Sequence, residues 1–312
     1  MLRKLLLALA LLVCASAAEA ANRFAVCTTT CTWDASDTSM WSTTSGGGTG
    51  ASVPGTGDAV VFDAATCVGG TTCTVTVNVT VAVQSITMGA CTASTNGCIL
   101  DFDTNDNNIT LSAQTGMSCS GTGTRTLSMG SGTWTFNSGA AGTIWSCATV
   151  TNMTCNCSAA TMVMGATGVT GLQTFSGGGL TGANKYGTLS IGANSSLGTF
   201  SITGANQFVG LSIAAPNYVT LPNAATTIID TAPTFTGGSV SSLRTLISNS
   251  TAVATISIAS GTMSSTWTAF RQITCSGGAT YAATDSFDLG ITTTCNITAP
   301  TVGGGGGRCI GC

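Results

Sequence analysis

An all-β chain wound as a single-stranded right-handed parallel β-helix, or solenoid, with an N-terminal cap is the fold the sequence predicts, on three observations. Short runs alternate Thr with apolar residues, the longest being Thr74-Val75-Thr76-Val77-Asn78-Val79-Thr80-Val81-Ala82-Val83. Thr and Val favour the pleated, half-buried surface of a strand. Clusters of Gly, Asn and Ser separate the runs, where turns belong. The third observation is a repeat: residues 181–191 (TGANKYGTLSI) return as 203–213 (TGANQFVGLSI), 22 positions further on. A unit of that size holds two or three short strands and cannot bury its own apolar face, so units must stack. A β-sandwich or jelly roll is the alternative, but a closely matched short repeat is not expected there.

Residues 1–20 carry Arg3 and Lys4, an apolar run from Leu5 to Val13, and the small-residue stretch Ala18-Glu19-Ala20. That order reads as a secretory signal peptide cut after Ala20, the apolar run being too short for a comfortable membrane span. A retained anchor, or lipidation at Cys14, are the alternatives. Residues 21–66 hold Trp33, Trp41, Phe62 and four Asp with little repeat character, and read as a cap over the first coil. Residues 67–302 read as the solenoid. A small core recurs there as Ile86-Thr87-Met88, Leu127-Ser128-Met129, Leu189-Ser190-Ile191, Leu211-Ser212-Ile213 and Ile256-Ser257-Ile258. Its spacings approach multiples of about 21 residues, which predicts roughly a dozen coils around a dry axis of Val, Ile, Leu and Met. Residues 303–312 are five Gly followed by Arg308-Cys309-Ile310-Gly311-Cys312, a flexible tether with a cysteine pair.

Composition removes several function classes. The 312 residues are 6% charged, with net charge -3 and no His. Without His there is no Ser-His-Asp or Cys-His catalysis, no imidazole zinc site and no histidine pH switch. Eight Lys and Arg in total are too few for a surface that tracks nucleic-acid phosphates. No later apolar stretch is long enough to cross a bilayer, so no membrane span is expected after signal cleavage.

The cap carries, in order, Trp33-Asp34, Trp41-Ser42, a Gly-rich stretch, then Val53-Pro54-Gly55-Thr56-Gly57-Asp58-Ala59-Val60-Val61-Phe62-Asp63. It resembles the start of the β-strand-repeat proteins of tailed phages, prophages and environmental bacteria, and residues 121–135 are similar to their repeat core. The likeness covers most of residues 23–270. It implies a parallel β-solenoid with a virion-associated or surface structural role, in a group whose functions are mostly uncharacterised. The signal peptide and dense cysteines depart from that group and favour an exported cell-surface version.

Cysteines are the densest chemistry. Signal cleavage removes Cys14 and leaves an even set, as disulfide pairing in an exported chain requires. Local pairs are expected at Cys27/Cys31, Cys67/Cys73, Cys91/Cys98, Cys155/Cys157, Cys275/Cys295 and Cys309/Cys312, with Cys119 and Cys147 left over. The short Cys155-Asn156-Cys157 loop strains a direct bridge, so each of its sulfurs has a neighbouring-rung bond to Cys119 or Cys147 as its alternative. Cys309 and Cys312 are expected to close on each other or to cross-link a homo-oligomer.

Other constellations are thinner. Asp101, Asp103 and Asn105 begin a segment like a calcium loop, but the Gly and Glu of an EF-hand are missing; an Asn/Asp turn is the plainer reading. No other cofactor is expected, and no catalytic residue is assigned. Asp34, Asp37, Asp58 and Asp63 are the densest carboxylates and would serve the alternative, a glycoside hydrolase or polysaccharide lyase of tailspike type. Trp134, Trp145 and Trp267 would serve a glycan-binding module, if exposed, but isolated Trp covering the core ends is the plainer reading. The function expected is non-enzymatic: a structural or adhesive solenoid, secreted or at the cell surface, or on a virion. Its partners would be surface or virion structural proteins or glycans.

Overall fold

The computed structural model describes residues 21–300 apart from 69–71, 90–96, 166–168, 170, 193–198, 216, 236–237, 240, 249–251 and 291. The signal segment and the tail at 303–312 therefore lie outside the described residues. What is described is an all-β stack of long parallel sheets in the regular arrangement of a β-solenoid. Helix is confined to two short 3-10 turns among the described residues, Asp103–Asn105 and Gly182–Asn184.

Each coil visits three sides. Ser85–Met88 lies in a 12-stranded sheet, and the chain then contributes Cys98–Asp101 and Ile109–Leu111 to two arms of a 13-stranded sheet. It returns as Met117–Cys119 directly beside Ser85–Met88, with Met117 opposite Ile86. The two arms are joined by one long strand, Met153–Met164. Its first residues pair with Arg125–Ser128 and its last with Thr133–Phe136. Near the far end, Thr234–Phe235, Thr262–Thr266, Thr280–Thr284 and Asn296–Ile297 form a separate four-stranded sheet.

Parallel in-register pairing turns the sequence alternation into columns. Val60, Ile86, Met117, Trp145, Phe175 and Ile202 stack on the first side, all fully buried. Val75, Leu100, Leu127 and Cys155 stack on the second. Val81, Ile109, Trp134, Met162, Leu189 and Leu211 stack on the third. Burying one such side chain is worth about 1.5–3 kcal/mol, and each column shares that gain along the axis. The Thr residues between them, such as Thr74 and Thr76, alternate to the outer face.

The 22-residue repeat is a register statement: Tyr186 pairs with Phe208, Leu189 with Leu211 and Ile191 with Ile213. The next pair of coils keeps an offset of 21, Phe208 opposite Ile229, but the period is not constant along the stack. Phe24 pairs with Val61, an offset of 37, whereas Ala269 pairs with Phe287, an offset of 18. The strands keep register while corner loops vary in length. Ile86 and Leu127, which share a sequence motif, sit on different sheets. The unbroken Thr74–Val83 alternation is likewise divided, into Cys73–Val77 and Val81–Val83, by a corner at Asn78–Thr80.

Residues 21–66 belong to the stack as well as closing it. Asn22–Ala25 and Ala59–Phe62 are the first two parallel strands of the 12-stranded sheet, and Thr30–Trp33 opens the 13-stranded one. The closing element is Trp41–Ser42, which pairs antiparallel with Asn22–Ala25. Trp33 and Trp41 meet edge to face at 5.0 Å beneath it. Gly187 is required where the long strand bulges between Cys157 and Thr161, because a Cβ there would lie 1.9 Å from the Ala160 carbonyl oxygen.

Candidate functional site

The cysteines line the stack. Cys27–Cys31, Cys67–Cys73, Cys155–Cys157 and Cys275–Cys295 are disulfides, and so is Cys119–Cys147. The alternative bonds from Cys155 and Cys157 to Cys119 or Cys147 are not made. The first two sulfurs sit at alternate inward positions of one strand, and Cys119 and Cys147 follow directly on the paired residues Ser118 and Ser146 of adjacent coils. Cys98 is disulfide-bonded. Cys91, Cys309 and Cys312 lie outside the described residues. Cys27 and Cys67 lie opposite each other in a backbone β-bridge between adjacent coils, and Cys73 pairs in register with Cys98. The sulfurs of the first coils thus gather at the corner between the first and second sides.

The carboxylates hold turns. Asp34 Oδ1 accepts the backbone N–H of Ser36 and of Asp37, both at 2.7 Å, and those two bonds lower its pKa. Asp37 accepts the N–H of Ser39, and Asp63 that of Ala65. Asp58 accepts the N–H of Gly55 at 2.9 Å and that of Ala21, and it lies 3.6 Å from Arg23 Nε. This is why the Val53–Asp63 string needs its Gly and Asp: the carboxylate ties the loop to the first strand. In the calcium-like segment, Asp101 accepts the N–H of Asp103 and Thr104 as well as the Thr104 hydroxyl. Asp103 and Asn105 bound the 3-10 turn itself, and the Asn105 amide donates to the Val77 carbonyl. Among the described residues, no three His, Cys, Asp or Glu side chains are placed to share a metal ion.

The aromatic platform is overturned. Trp134 and Trp145 are fully buried. Both fall at inward positions of their strands. There Trp134 meets Phe102 at 4.8 Å, and Trp145 stacks on Phe175 at 5.6 Å. Trp267 is half-buried at a corner with φ +51°. No pair of these rings is left to hold a sugar face.

Buried polar corners are what the sequence did not announce. Arg125 is fully buried and donates to the carbonyls of Gly123, Thr149 and Thr151. Arg244, also buried, donates to Ile213 and Phe235 carbonyls and the Thr268 hydroxyl. Desolvation lowers both guanidinium pKa values. Asn206 receives the Gly179 N–H and donates to the Thr203 carbonyl. Its recurrence, with Asn184 one repeat earlier, was a signal for a corner asparagine; nothing marked either arginine.

A concavity lies at the capped end. It has a volume of about 290 Å³ and is lined by Trp33, Asp34 and Ala35, by Val53 to Thr56, and by Val79 to Ala82. Asp34 is its one ionisable group. Comparison with protein-family models, curated proteins and solved structures gives no match.

Proposed function

We propose that the protein is a non-enzymatic structural or adhesive rod that works outside the cytoplasm, at a cell surface or on a virion. Five disulfides among the described residues fit an extracellular protein. Its partners are surface or virion structural proteins, or glycans, met along flat faces of Thr, Ser and Asn.

The observation that carries this reading is where the reactive groups stand. Asp34, Asp58, Asp63 and Asp101 close turns, and Arg125 and Arg244 tie corner carbonyls inside the stack. Acid–base catalysis needs two such groups facing one substrate, and a scaffold needs them where they are. The test is fractionation together with digestion. The protein should travel with the envelope or particle fraction and leave purified surface polysaccharide uncut. Release of reducing ends or an unsaturated product, abolished by Asp58→Asn or Asp101→Asn, would replace the scaffold with an enzyme.

A further inference from the structure

The third side of the stack starts one coil late. The first coil supplies Asn22–Ala25 and Thr30–Trp33 to the first two sides, then leaves through Asp34 to the closing strand Trp41–Ser42. Val81–Val83 is therefore the first strand on the third side, and it pairs with Ile109–Leu111 alone. The Val81 N–H donates to Asn108, and the Val83 carbonyl accepts from Ser112. Both point along the stack, so strand alternation turns the N–H and C=O of Ala82 to the opposite side. Among the described residues nothing pairs with that edge. The 290 Å³ cavity lies against it, walled by Val53, Pro54 and Val79, with Asp34 at the rim. This is a vacant strand position with its neighbour strand in place.

We propose that residues 301–312 of a second copy enter this position as an added parallel strand, joining molecules head to tail. Addition of an extended segment to an exposed sheet edge is an established recognition mode, main-chain bonds giving affinity and side-chain pockets giving specificity. The segment fits in charge and form. Arg308 is its only charged side chain and is opposite in charge to Asp34, whose Oδ2 has no partner among the described residues. Ile310, two positions from Arg308, supplies an apolar side chain for the wall, and the five Gly before Arg308 put no bulk on the approach.

Reach makes the insertion intermolecular. Ten strand steps separate Asn22–Ala25 from Phe287–Asp288 in the first sheet. At about 4.8 Å each they place the slot about 48 Å from the point where the segment departs. Twelve extended residues span at most about 43 Å, so a molecule cannot fill its own slot. The inference goes beyond the scaffold reading and stands or falls without it.

Sedimentation velocity on protein purified after export tests it, in a Cys309→Ala/Cys312→Ala background so that cross-linking cannot imitate assembly. Chains should lengthen with concentration, and deletion of residues 301–312 should leave a single species. A peptide of residues 301–312 with both Cys replaced by Ala should bind the deleted protein. Arg308→Glu in that peptide, which cannot disturb the fold, should weaken binding at least tenfold. Ala82→Pro removes the outward N–H on an edge strand that tolerates proline and should abolish peptide binding while circular dichroism stays unchanged. Three results overturn the proposal: assembly that survives the deletion, equal binding of a scrambled peptide, or peptide binding undiminished in folded Ala82→Pro.

Discussion

The side chains with the most chemistry are used to hold the interior. Trp145 touches Phe136, Phe175 and Tyr186 within 6 Å between centroids, so Trp145→Ala removes a large ring from a packed column. The expected loss is about 3–5 kcal/mol, read as a lower denaturant midpoint at unchanged slope. A surface role for this tryptophan would leave the midpoint where it is. Tyr186 sets a pH limit. Burial drives its pKa well above the ordinary value of 10.0, while its hydroxyl donates to the Gly177 carbonyl at 2.7 Å. The unfolded chain then loses the proton first, so stability is full below about pH 10 and declines as pH rises past it. Tyr186→Phe should flatten that alkaline decline while lowering neutral-pH stability by about 1 kcal/mol for the lost hydrogen bond. Titrating both proteins from pH 8 to 12 by tryptophan fluorescence separates the two effects. Persistence of the full decline in Tyr186→Phe would assign it to another group.

Strands and their bonds explain what could be read from the chain and what could not. The 22-residue repeat was legible because both copies lie on the same ladder with no insertion between them, Leu189 on Leu211 and Ile191 on Ile213. The constant period near 21 inferred from it does not hold, because corner loops are free to lengthen once the columns are in register. Thr30 pairs with Thr74, 44 residues on, whereas Ile256 pairs with Cys275, 19 on. The role of Cys119 and Cys147 was hidden for the same reason: their separation of 28 is one coil, a length the repeat did not suggest. That bond staples adjacent coils, whereas Cys155–Cys157 closes a loop inside one strand. In the chain-entropy account the 28-residue loop is worth about 3.5 kcal/mol and the two-residue loop below about 2 kcal/mol. Cys119→Ala/Cys147→Ala should therefore unfold at clearly lower denaturant than Cys155→Ala/Cys157→Ala. The reverse order would mean that the buried Cys155 and Cys157 sulfurs matter for packing more than the inter-coil bond does for topology.

At the scale of the whole rod, the fold class was readable and the candidate site was not. Alternation and repeat are local, and they specify stacking. The cavity beside Ala82 arises from a strand that the first coil does not make, and an absent strand leaves no residues to read. The two ends differ in consequence. At one, Trp41–Ser42 pairs across the first strand and the disulfides Cys27–Cys31 and Cys67–Cys73 bind the corner beneath it. At the other, the outermost strands Phe287–Asp288 and Asn296–Ile297 each have, among the described residues, a neighbour on one side only. In a stack of this kind stability is a sum of coil terms and interfaces between neighbours, so a terminal coil opens at lower free energy than an internal one. Native-state hydrogen exchange should then show a gradient rather than a plateau. Protection should peak at Gly142–Ser146, Gln173–Ser176 and Tyr186–Ile191, where Trp145, Phe175, Tyr186 and Phe208 interlock. It should fall toward residues 287–297 and fall less toward residues 22–33. Equal protection at all of these strands would mean that the rod opens only as one unit, and the nearest-neighbour picture would give way to a single cooperative core.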